Sequence, residues 1–469
     1  MLKNMTLTNI AKAVGGTLLG ANEPDTTQIS GAVIDSRLVK EGFLFFAVKG
    51  ERVDGHKFVE DVFEKGAACV IVEDVPADPK GPYIQVPSTL QALKDVAAFY
   101  RKQLSIPIVG ITGSVGKTST KEMIASVLSQ KYNVLKTEGN FNNEIGLPLT
   151  ILRIREEHEA AVVEMGISDF GEMHRLATIA QPDISVITNI GTCHLEFLGD
   201  RDGVLKAKTE MFDHLTERGT AILNGDDDKL ATITEVNGKK PFFYGVKKQG
   251  NAVAEHISAY ASNVVGRGLE GITATIHMPE DTFTVHIGLP GMHNVYNAMA
   301  AACVGRELSL TAKEIAAGIN KATTISGRTN LIRLKQNITL IDDCYNANPV
   351  SMKEALDILN LAKGRSIAVL GDMGELGADE KALHRSVGEH FEHLSIDVLF
   401  TVGELSKEIA AGAKKVTEKT AIYSFDSKDV MIKELLACIS PGDAVLVKAS
   451  HFMDFPAVVE AVREAFGEK

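Results

Sequence analysis

The chain has 469 residues, of which 45% are hydrophobic and 23% charged, and its formal net charge is −12. At about 150 residues per domain this length predicts three domains, and the composition is typical of a soluble globular protein. The acidic balance argues against a nucleic-acid binder, for which a basic face is expected. Neither a secretion signal nor an apolar run of about 18 residues is found, so we expect no membrane insertion.

The cysteines are scattered and odd in number, with no C-x-x-C pair. They are Cys69, Cys193, Cys303, Cys344 and Cys438. Such a set forms neither a disulfide framework nor a structural zinc site. A cytoplasmic protein is therefore expected.

Residues up to about 103 alternate strand-like and helix-like runs. The strand candidates are GAVIDS, GFLFFAV, ACVIVED and YIQV, and the helix candidates are KFVEDVFEKGA and TLQALKDVAAFYRKQL. This alternation predicts a small α/β unit.

A glycine loop lies between a strand-like and a helix-like segment. The apolar run IPIVGIT leads into Gly113 to Thr118, and a helical pattern follows. In such loops the backbone N–H groups converge on a phosphate, and the helix N-terminus adds partial positive charge. Lys117 then reaches the terminal phosphates and the Thr118 hydroxyl binds Mg²⁺. Ile111 stands where the usual motif has its first glycine, and the alternative is an ordinary turn with a solvated Lys117.

Two further α/β series follow the loop. The strand candidates YNVLKT, AAVVEM, SVITNI and GTAILN predict a parallel sheet covered by helices. Residues 250 to 290 alternate with period two, which favours a few antiparallel strands. A third series starts near Ser326, with the strand candidates NITLIDD, SIAVLGD, DVLFTVG and DAVLVKA.

Polar residues end two strands of the central series. Glu164 closes AAVVE, Asn189 closes SVITN, and His194 follows in the next loop. Open parallel sheets bind ligands beyond these strand ends, and a carboxylate suits Mg²⁺ better than an imidazole does. A strand-end cap or an ion pair is the structural alternative for Glu164. Lys206 and Lys208, judged by residue type alone, belong to a solvated helix face.

Three polar clusters lie further along the chain. Asn294 and Asn297 share a helix face, where they either hydrogen-bond a nucleobase or cap the helix. Arg328 is suited to clamp a phosphate at a domain junction. The loop from Tyr345 to Asn348 follows two acids at a strand end, where loops either bind a ligand or only turn.

Taken together, these segments resemble the Mur ligases, the ATP-dependent amide ligases of bacterial cell-wall synthesis. The resemblance covers nearly the whole chain. It lies in DSRLVKEGFLFFAVKGERVDGHKF, GITGSVGKTST, TEGNFNNEIGLPLT, VVEMG, TNIGTCHLEFLG, AKTEMF, GMHNVYNAMAA, SGRTN, DDCYNANPVSM and LGDMGELG. Among these, TEGNFNNEIGLPLT, DDCYNANP and LGDMGELG favour the members that add D-alanyl-D-alanine to a UDP-linked tripeptide.

The resemblance implies an α/β fold with three domains. These are an N-terminal α/β UDP-sugar-binding domain at 1–103, a central P-loop parallel-sheet ATPase at 104–325, and a C-terminal Rossmann-like domain at 326–469. It also implies ATP and two Mg²⁺ ions as cofactors, UDP-N-acetylmuramoyl-tripeptide and D-alanyl-D-alanine as substrates, and a monomer.

The resemblance further implies the roles of individual residues. The catalytic set is Lys117, Glu164, His194, Lys208 and Arg328. The nucleotide contacts are Gly113, Ser114, Val115, Gly116, Lys117, Thr118, Ser119, Asn294, Asn297, Arg328 and Asp343. The metal ligands are Thr118, Glu164, His194 and Lys208, the last as a carbamate formed with CO₂. The substrate contacts are Ser36, Arg37, Asp54, Gly55, His56, Asn140, Asn142, Asn143, Tyr345, Asn346 and Asn348.

Three positions depart from the family pattern. Val115 stands where an asparagine is general, Ser119 where a threonine is usual, and His451 where an arginine is expected. No firm role is therefore assigned to Lys448 or His451.

The implied reaction activates a carboxylate as an acyl phosphate, which an amine then attacks. Three alternatives stay open at this point. One is a ligase like folylpolyglutamate synthase, which should lack the N-terminal unit. The others are a nucleotide-binding switch without ligase activity and a degenerate homologue that only binds its ligands.

Overall fold

The computed structural model describes residues 2–50, 53–75, 80–247 and 252–468. Over these residues the chain forms three sheets that follow one another in sequence, each packed against helices. The predicted α/β class is therefore confirmed. In the described part of the chain, no helix combines the length and the apolarity that crossing a bilayer requires.

The first sheet has the strand order β1-β5-β4-β3-β2, with only β1 antiparallel to its neighbour. Its strands are β1 Thr17–Leu19, β2 Gly31–Val33, β3 Phe43–Phe46, β4 Cys69–Val72 and β5 Tyr83–Gln85. The helices are α1 Leu7–Ala13, α2 Val59–Glu64 and α3 Thr89–Arg101. Ser88 caps α3 by accepting a hydrogen bond from the Gln91 backbone N–H, which satisfies a donor that the helix itself cannot.

The central sheet has nine strands in the order β14-β13-β12-β11-β10-β9-β6-β8-β7. Its strands are β6 Ile108–Thr112, β7 Val134–Lys136, β8 Ala160–Glu164, β9 Ile184–Ile187, β10 Thr220–Asn224, β11 Phe242–Val246, β12 Ala259–Gly266, β13 Ile272–His277 and β14 Thr282–Ile287. Its helices are α4 Lys117–Leu128, α5 Gly146–Ile151, α6 Glu172–Ala180, α7 Leu195–Leu198, α8 Arg201–Thr209, α9 His293–Glu307 and α10 Ala312–Lys321.

The central strands are parallel except at one edge. Every residue of β6, β8 and β9 is buried, as expected of parallel strands covered on both faces. The pairs β12–β13 and β13–β14 are antiparallel, in agreement with the period-two pattern of this region. Since β6, β8 and β9 are neighbours, their carboxyl ends meet at one sheet edge.

The third sheet has the order β15-β16-β20-β17-β18-β19, with β15 antiparallel to β16. Its strands are β15 Asn330–Arg333, β16 Thr339–Asp342, β17 Ser366–Gly371, β18 Val398–Val402, β19 Ala421–Phe425 and β20 Ala444–Lys448. Its helices are α11 Pro349–Leu359, α12 Glu380–Glu389, α13 Ser406–Val416, α14 Lys428–Cys438 and α15 Pro456–Phe466.

The hydrophobic cores divide the molecule unevenly. One cluster of buried residues runs from Leu2 in the first unit to Phe243 in the central unit without interruption between the two sheets. The third sheet has its own clusters on its two faces, which include Val445 and Leu446 respectively. The first two units therefore share a core, whereas the third packs around its own, which only Leu269 among the partly buried apolar side chains of the described central unit contacts.

Candidate active site

The glycine loop joins β6 to α4 and has the backbone that the motif requires. Gly116 adopts φ 82° at the N-cap of α4, a left-handed conformation that favours glycine. A Cβ at Gly113 would lie 1.9 Å from Thr188 Oγ1, so a side chain is excluded there. The Lys117 Nζ donates to the Gly113 carbonyl at 2.9 Å, within its own loop. The N-terminus of α4 thus opens beyond the sheet edge.

Asn189, at the end of β9, holds the loop. Its carbonyl accepts the Ser114 N–H at 3.1 Å, and its Oδ1 accepts the Val115 N–H at 2.9 Å. The Asn189 Nδ2 and the Thr188 hydroxyl both donate to the Val115 carbonyl. The two N–H groups expected to face a phosphate are therefore bound to protein in this conformation, and phosphate binding at them requires Asn189 to release them.

Glu164 lies at the end of β8 and is 1% exposed. Its Oε1 accepts a hydrogen bond from Asn142 Nδ2 at 2.8 Å, while Oε2 has no hydrogen-bond partner among the described residues and lies 3.9 Å from Lys121 Nζ. A buried carboxylate oxygen without a hydrogen bond is costly, and a bound cation compensates that cost. This oxygen fits a Mg²⁺ ligand.

His194 precedes α7 with φ 52°, a strained conformation for a residue other than glycine. Its Nδ1 lies 3.0 Å from Glu375 Oε2 of the third unit, a contact without hydrogen-bond geometry that is an ion pair only when the imidazole is protonated. Burial lowers the pKa of His194, Glu375 opposes that shift, and Lys117 and Lys208 add to it. A neutral imidazole with an unbonded nitrogen can ligate a metal.

Lys208 on α8 is 1% exposed, whereas Lys206, two residues earlier, is exposed. The interpretation of this helix face as solvated is correct for Lys206 and wrong for Lys208, because residue type alone does not report which side of a short helix is covered. Burial lowers the pKa of Lys208 to about 8, and Lys117 adds to this shift. A buried amine near the loop, with no carboxylate among the described residues in ion-pair range, is an unusual placement for lysine.

The two asparagines of α9 are buried in a hydrogen-bond chain behind the loop. Asn294 Nδ2 donates to the Pro290 carbonyl, Asn297 Nδ2 donates to Asn294 Oδ1, and Thr120 Oγ1 donates to Asn297 Oδ1, all within 2.9 Å. Asn294 also lines a small pocket beside α4, together with Leu289. This series of hydrogen bonds holds α9 against α4 and forms one side of the pocket.

The junction to the third unit positions Arg328. Asp342, at the end of β16, accepts the Gly327 N–H at 2.7 Å and the Ser326 hydroxyl at 3.2 Å. The Arg328 guanidinium lies 4.1 Å from the centre of the Tyr345 ring, a cation–π contact. Asp342 thus orients the turn that carries Arg328, a positioning role that the sequence patterns did not reveal.

Asp343 is engaged by protein donors on both carboxylate oxygens. Oδ1 accepts the Thr329 N–H at 2.8 Å, and Oδ2 accepts from Lys448 Nζ at 2.6 Å. Lys448 is 2% exposed and also donates to the Asn346 carbonyl. Lys448 therefore has a defined place in the floor of the site, although the sequence alone gave it no firm role.

A cleft of about 490 Å³ lies between the central and third units. The predicted site residues that line it are Ser114, Val115, Gly116, Lys117, Thr118, Ser119, Asn142, Asn143, Glu164, His194, Arg328, Asp343, Tyr345, Asn346 and Asn348. Lining residues that sequence reasoning missed include Glu172, His293, Thr329, Glu354 and Lys448. Asn348 also caps α11, by accepting from the Ser351 N–H at 2.9 Å.

Other predicted site residues do not line this cleft. They are Ser36, Arg37, Asp54, Gly55, His56, Gly113, Asn140, Lys208, Asn294 and Asn297. In the first unit, His56 Nδ1 lies 2.8 Å from Asp54 Oδ1, and His56 Nε2 accepts the Glu73 N–H at 3.0 Å. Arg37 is exposed and pairs with Asp35, holding the pKa of that carboxyl at about 2. These first-unit roles stay predictions.

Family models match three consecutive segments of the chain. Residues 28–101 match the Mur ligase family catalytic domain, residues 111–305 the Mur ligase middle domain, and residues 327–451 the Mur ligase glutamate ligase domain. These segments follow the three sheets.

Individual relatives match over the whole length. The chain is 39% identical over 464 residues to the UDP-N-acetylmuramoyl-tripeptide–D-alanyl-D-alanine ligase of Bacillus subtilis (strain 168), with 98% of each chain covered. The crystal structure of MurF from Acinetobacter baumannii superposes with a TM-score of 0.87 at 32% identity, covering 99% of both chains. MurF of Thermotoga maritima in complex with ADP gives a TM-score of 0.80 at 31% identity, covering 93% of this chain and 97% of that one. The chain therefore belongs to the Mur ligase family, as an ATP-dependent amide ligase.

Proposed function

We propose that this ligase joins D-alanyl-D-alanine to UDP-N-acetylmuramoyl-tripeptide and so forms the UDP-linked pentapeptide of peptidoglycan synthesis. The observation that carries the proposal is the cleft, in which the phosphate loop of the central unit faces Arg328, Asp343 and Tyr345 of the third unit. Relatives that match almost end to end carry that activity in their names. We further propose that the enzyme acts as a monomer in the cytoplasm, where ATP and UDP-linked precursors are available.

The chemistry of amide formation explains why such a cleft is needed. A carboxylate is a poor acyl donor, so the γ-phosphate of ATP is transferred to the terminal carboxylate of the tripeptide. The resulting acyl phosphate is attacked by the amine of the dipeptide, the tetrahedral adduct expels inorganic phosphate, and the amine proton is lost. Both approaching reactants are anionic, and their repulsion is severe in a site of low dielectric constant. Lys117 and Arg328 supply positive charge at the cleft to offset that repulsion.

We propose that residues of the cleft hold two Mg²⁺ ions. Glu164 Oε2 has no hydrogen bond and the Thr118 hydroxyl lines the same cleft, so these two oxygens suit a hard cation. His194 offers the unbonded Nδ1. Lys208 can join the set only as a carbamate, and its burial without a paired carboxylate supports that proposal. Bound Mg²⁺ neutralises charge that develops on the phosphate oxygens.

The cleft also has to exclude water, because water hydrolyses an acyl phosphate. The third unit forms one wall and contacts the central unit through the segment around 322–330, the His194–Glu375 contact and Leu269, which packs against a core cluster of the third unit. Approach of that unit after the substrates bind would close the cleft over the intermediate.

Phosphate release from ATP tests the proposal directly. The reaction contains Mg²⁺ and either UDP-N-acetylmuramoyl-tripeptide, D-alanyl-D-alanine or both, with mass spectrometry of the product. We expect turnover only with both substrates, with the UDP-linked pentapeptide as product. Turnover without either substrate, or no turnover in any combination, would support a switch or a degenerate homologue instead.

Lys117→Met serves as the matched loss-of-function variant. It keeps an unbranched side chain of similar length and removes the charge, so we expect a fall in turnover of about 10²–10³-fold with the fold retained. The carbamate is tested separately with Lys208→Ala, for which short carboxylic acids should restore part of the activity. Full activity of Lys208→Ala without added acid would contradict its role.

A ligase like folylpolyglutamate synthase is the second candidate that the sequence left open. Such an enzyme should lack the N-terminal unit, whereas here that unit matches its own Mur ligase model at residues 28–101. We therefore favour a UDP-linked substrate. Binding of UDP, measured by calorimetry, tests this choice, and absence of any UDP binding would weigh against it.

A further inference from the structure

Glu354 is a carboxylate in the active-site cleft to which the proposed reaction gives no role. It lies on α11, and the face that it shares with Asn348, Ser351 and Ala355 lines the cleft. It is half-buried, and the described residues provide it with no hydrogen bond or ion pair. Its burial raises its pKa, and the electrostatic influence of His293 and Lys448 opposes this shift. A site that binds phosphate is expected to be lined by positive charge, so an unpaired carboxylate such as Glu354 in it calls for a functional reason.

The place of Glu354 in the site can be described relative to His293, which lines the same cleft. His293 begins α9 and lines both the cleft and the small pocket beside α4, as do Ser119, Arg328 and Thr329. The pocket lies beside Leu289, Pro290 and Asn294 and holds only about 20 Å³ in this conformation, so a nucleobase can enter it only after the pocket widens. A nucleotide with its phosphates on the glycine loop and its base in this pocket would have its ribose between the two, where the pocket meets the cleft. Glu354 lines the same cleft as His293, which is close enough to influence the pKa of Glu354.

The chemistry of a ribose matches what Glu354 offers. The vicinal 2′ and 3′ hydroxyls are two donors that need acceptors, and an ionised carboxylate offers two acceptor oxygens. Acidic side chains bind ribose hydroxyls in other nucleotide sites for this reason. Asp343, which the resemblance implies as a nucleotide contact, already accepts from the Thr329 N–H on one oxygen and from Lys448 on the other. Neither carboxylate oxygen of Glu354 has a hydrogen-bond partner among the residues that the structure describes.

We propose that Glu354 accepts hydrogen bonds from the ribose hydroxyls of the nucleotide and makes the enzyme selective for ribonucleotides over deoxyribonucleotides. This inference rests on the proposed use of ATP and adds a specificity residue on the third unit to that site. Because α11 belongs to the third unit and the phosphate loop to the central unit, the sugar contact also links nucleotide binding to the approach of the two units.

The test compares ATP with 2′-deoxy-ATP and 3′-deoxy-ATP in the ligase assay, for the unmodified enzyme and for Glu354→Ala. One hydrogen bond to a charged group corresponds to about a tenfold difference in affinity. We expect KM to be about tenfold lower for ATP than for the deoxy analogues in the unmodified enzyme. In Glu354→Ala the KM for ATP should rise to that of the analogues, with little change in kcat.

Two further variants make the result specific. Glu354→Gln keeps one acceptor oxygen and should retain part of the preference. Asp357→Asn removes an acid from the same helix that is bound to His390 and lies outside the cleft, so it should keep the full preference. Equal KM values for ATP and its deoxy analogues in the unmodified enzyme, or an undiminished preference in Glu354→Ala, would overturn the proposal. A preference lost in Asp343→Asn but kept in Glu354→Ala would assign the contact to Asp343 instead.

Calorimetry with ADP and 2′-deoxy-ADP separates this inference from the proposed ligase activity. A ribose preference in ADP binding that disappears in Glu354→Ala supports the sugar contact even if no ligation is observed. Ligation with identical affinities for ADP and 2′-deoxy-ADP would support the ligase and contradict the role of Glu354.

Discussion

The two boundaries between the three units are built in opposite ways. Between the first and central units, a continuous apolar core crosses the boundary, and buried polar groups such as Arg101 and Tyr100 bond to backbone carbonyls on the other side. Between the central and third units lies the polar cleft, with the His194–Glu375 pair crossing it. The continuous core makes the first boundary rigid, whereas the second boundary contains polar groups that are available to bind ligands. The site therefore lies where the protein itself does not complete the packing.

Removing a polar contact between the first and central units should cause the largest loss in the free energy of unfolding. The Arg101 guanidinium donates to the carbonyls of Ala180 and Gln181 and pairs with Asp183 at 3.0 Å. Arg101→Met keeps much of the apolar stem and leaves these acceptors buried without a donor. We expect a loss of about 3–5 kcal/mol in the free energy of unfolding, measured by urea denaturation.

Arg385→Met is the matched control for this experiment. Arg385 is half exposed and pairs with Glu408 inside the third unit, so its loss should cost less than about 1 kcal/mol. A loss below about 1 kcal/mol in Arg101→Met as well would contradict the view that the first boundary is rigid.

The same boundary should also weaken at low pH. Glu144 accepts from Lys94 of α3 at 2.7 Å and pairs with Arg175 of α6. Burial alone would raise its pKa, but the hydrogen bonds from Arg175 and Lys94 bring the pKa below its usual value. An acid whose pKa is lowered on folding stabilises the fold above its unfolded pKa, about 4.3, and loses that contribution as the pH falls through the folded value.

Glu144→Gln removes this pH dependence. We expect it to cost about 1–2 kcal/mol near pH 7, and the difference from the unmodified protein should shrink as the pH falls below the unfolded pKa and vanish only below the lowered folded pKa. Urea denaturation at several pH values measures both. A difference that persists unchanged at the lowest pH would mean that Glu144 acts through packing and not through its charge.

The smallest change in the free energy of unfolding is expected for the contact between the central and third units. The Glu375 side chain is 63% exposed, so its pair with His194 is screened by water. Glu375→Gln should change the free energy of unfolding by less than about 1 kcal/mol. A loss of more than about 2 kcal/mol in the same urea titration would show that the second boundary depends on this pair as the first depends on Arg101.

Much of the fold could be predicted because its strands are buried and β-branched. The run before the glycine loop and the run that ends in Glu164 are buried throughout, and a loop with Gly116 and Lys117 has few structural alternatives. Four strands, β1, β11, β15 and β19, were not among the predicted candidates, and β11 lies inside the central sheet with a buried centre. The strands β1, β15 and β19 lie at sheet edges and have mostly exposed or half-buried residues, so they lack a hydrophobic pattern.

The site was predictable at its motifs but not at its contacts. Glu164 and His194 stand at strand ends, where sequence order reports proximity to the loop. The burial of Lys208 and the hydrogen bonds of Asn189 to the loop depend on which elements pack together. Sequence alone does not show which face of a short helix is covered. Glu354 lies in an ordinary amphipathic helix, where an acid normally indicates a solvated face.

The central claim is that ligands move the third unit while the other two stay together. Spin labels on exposed positions, introduced through a ketone side chain so that the native cysteines remain, report this by double electron–electron resonance. One pair replaces Glu60 and Lys131 across the first boundary, and the other replaces Lys131 and Lys433 across the second. With Mg²⁺, an ATP analogue and the UDP-linked tripeptide, we predict a shorter and narrower distance for the second pair only. An unchanged second distance, or an equal change in the first, would contradict the account.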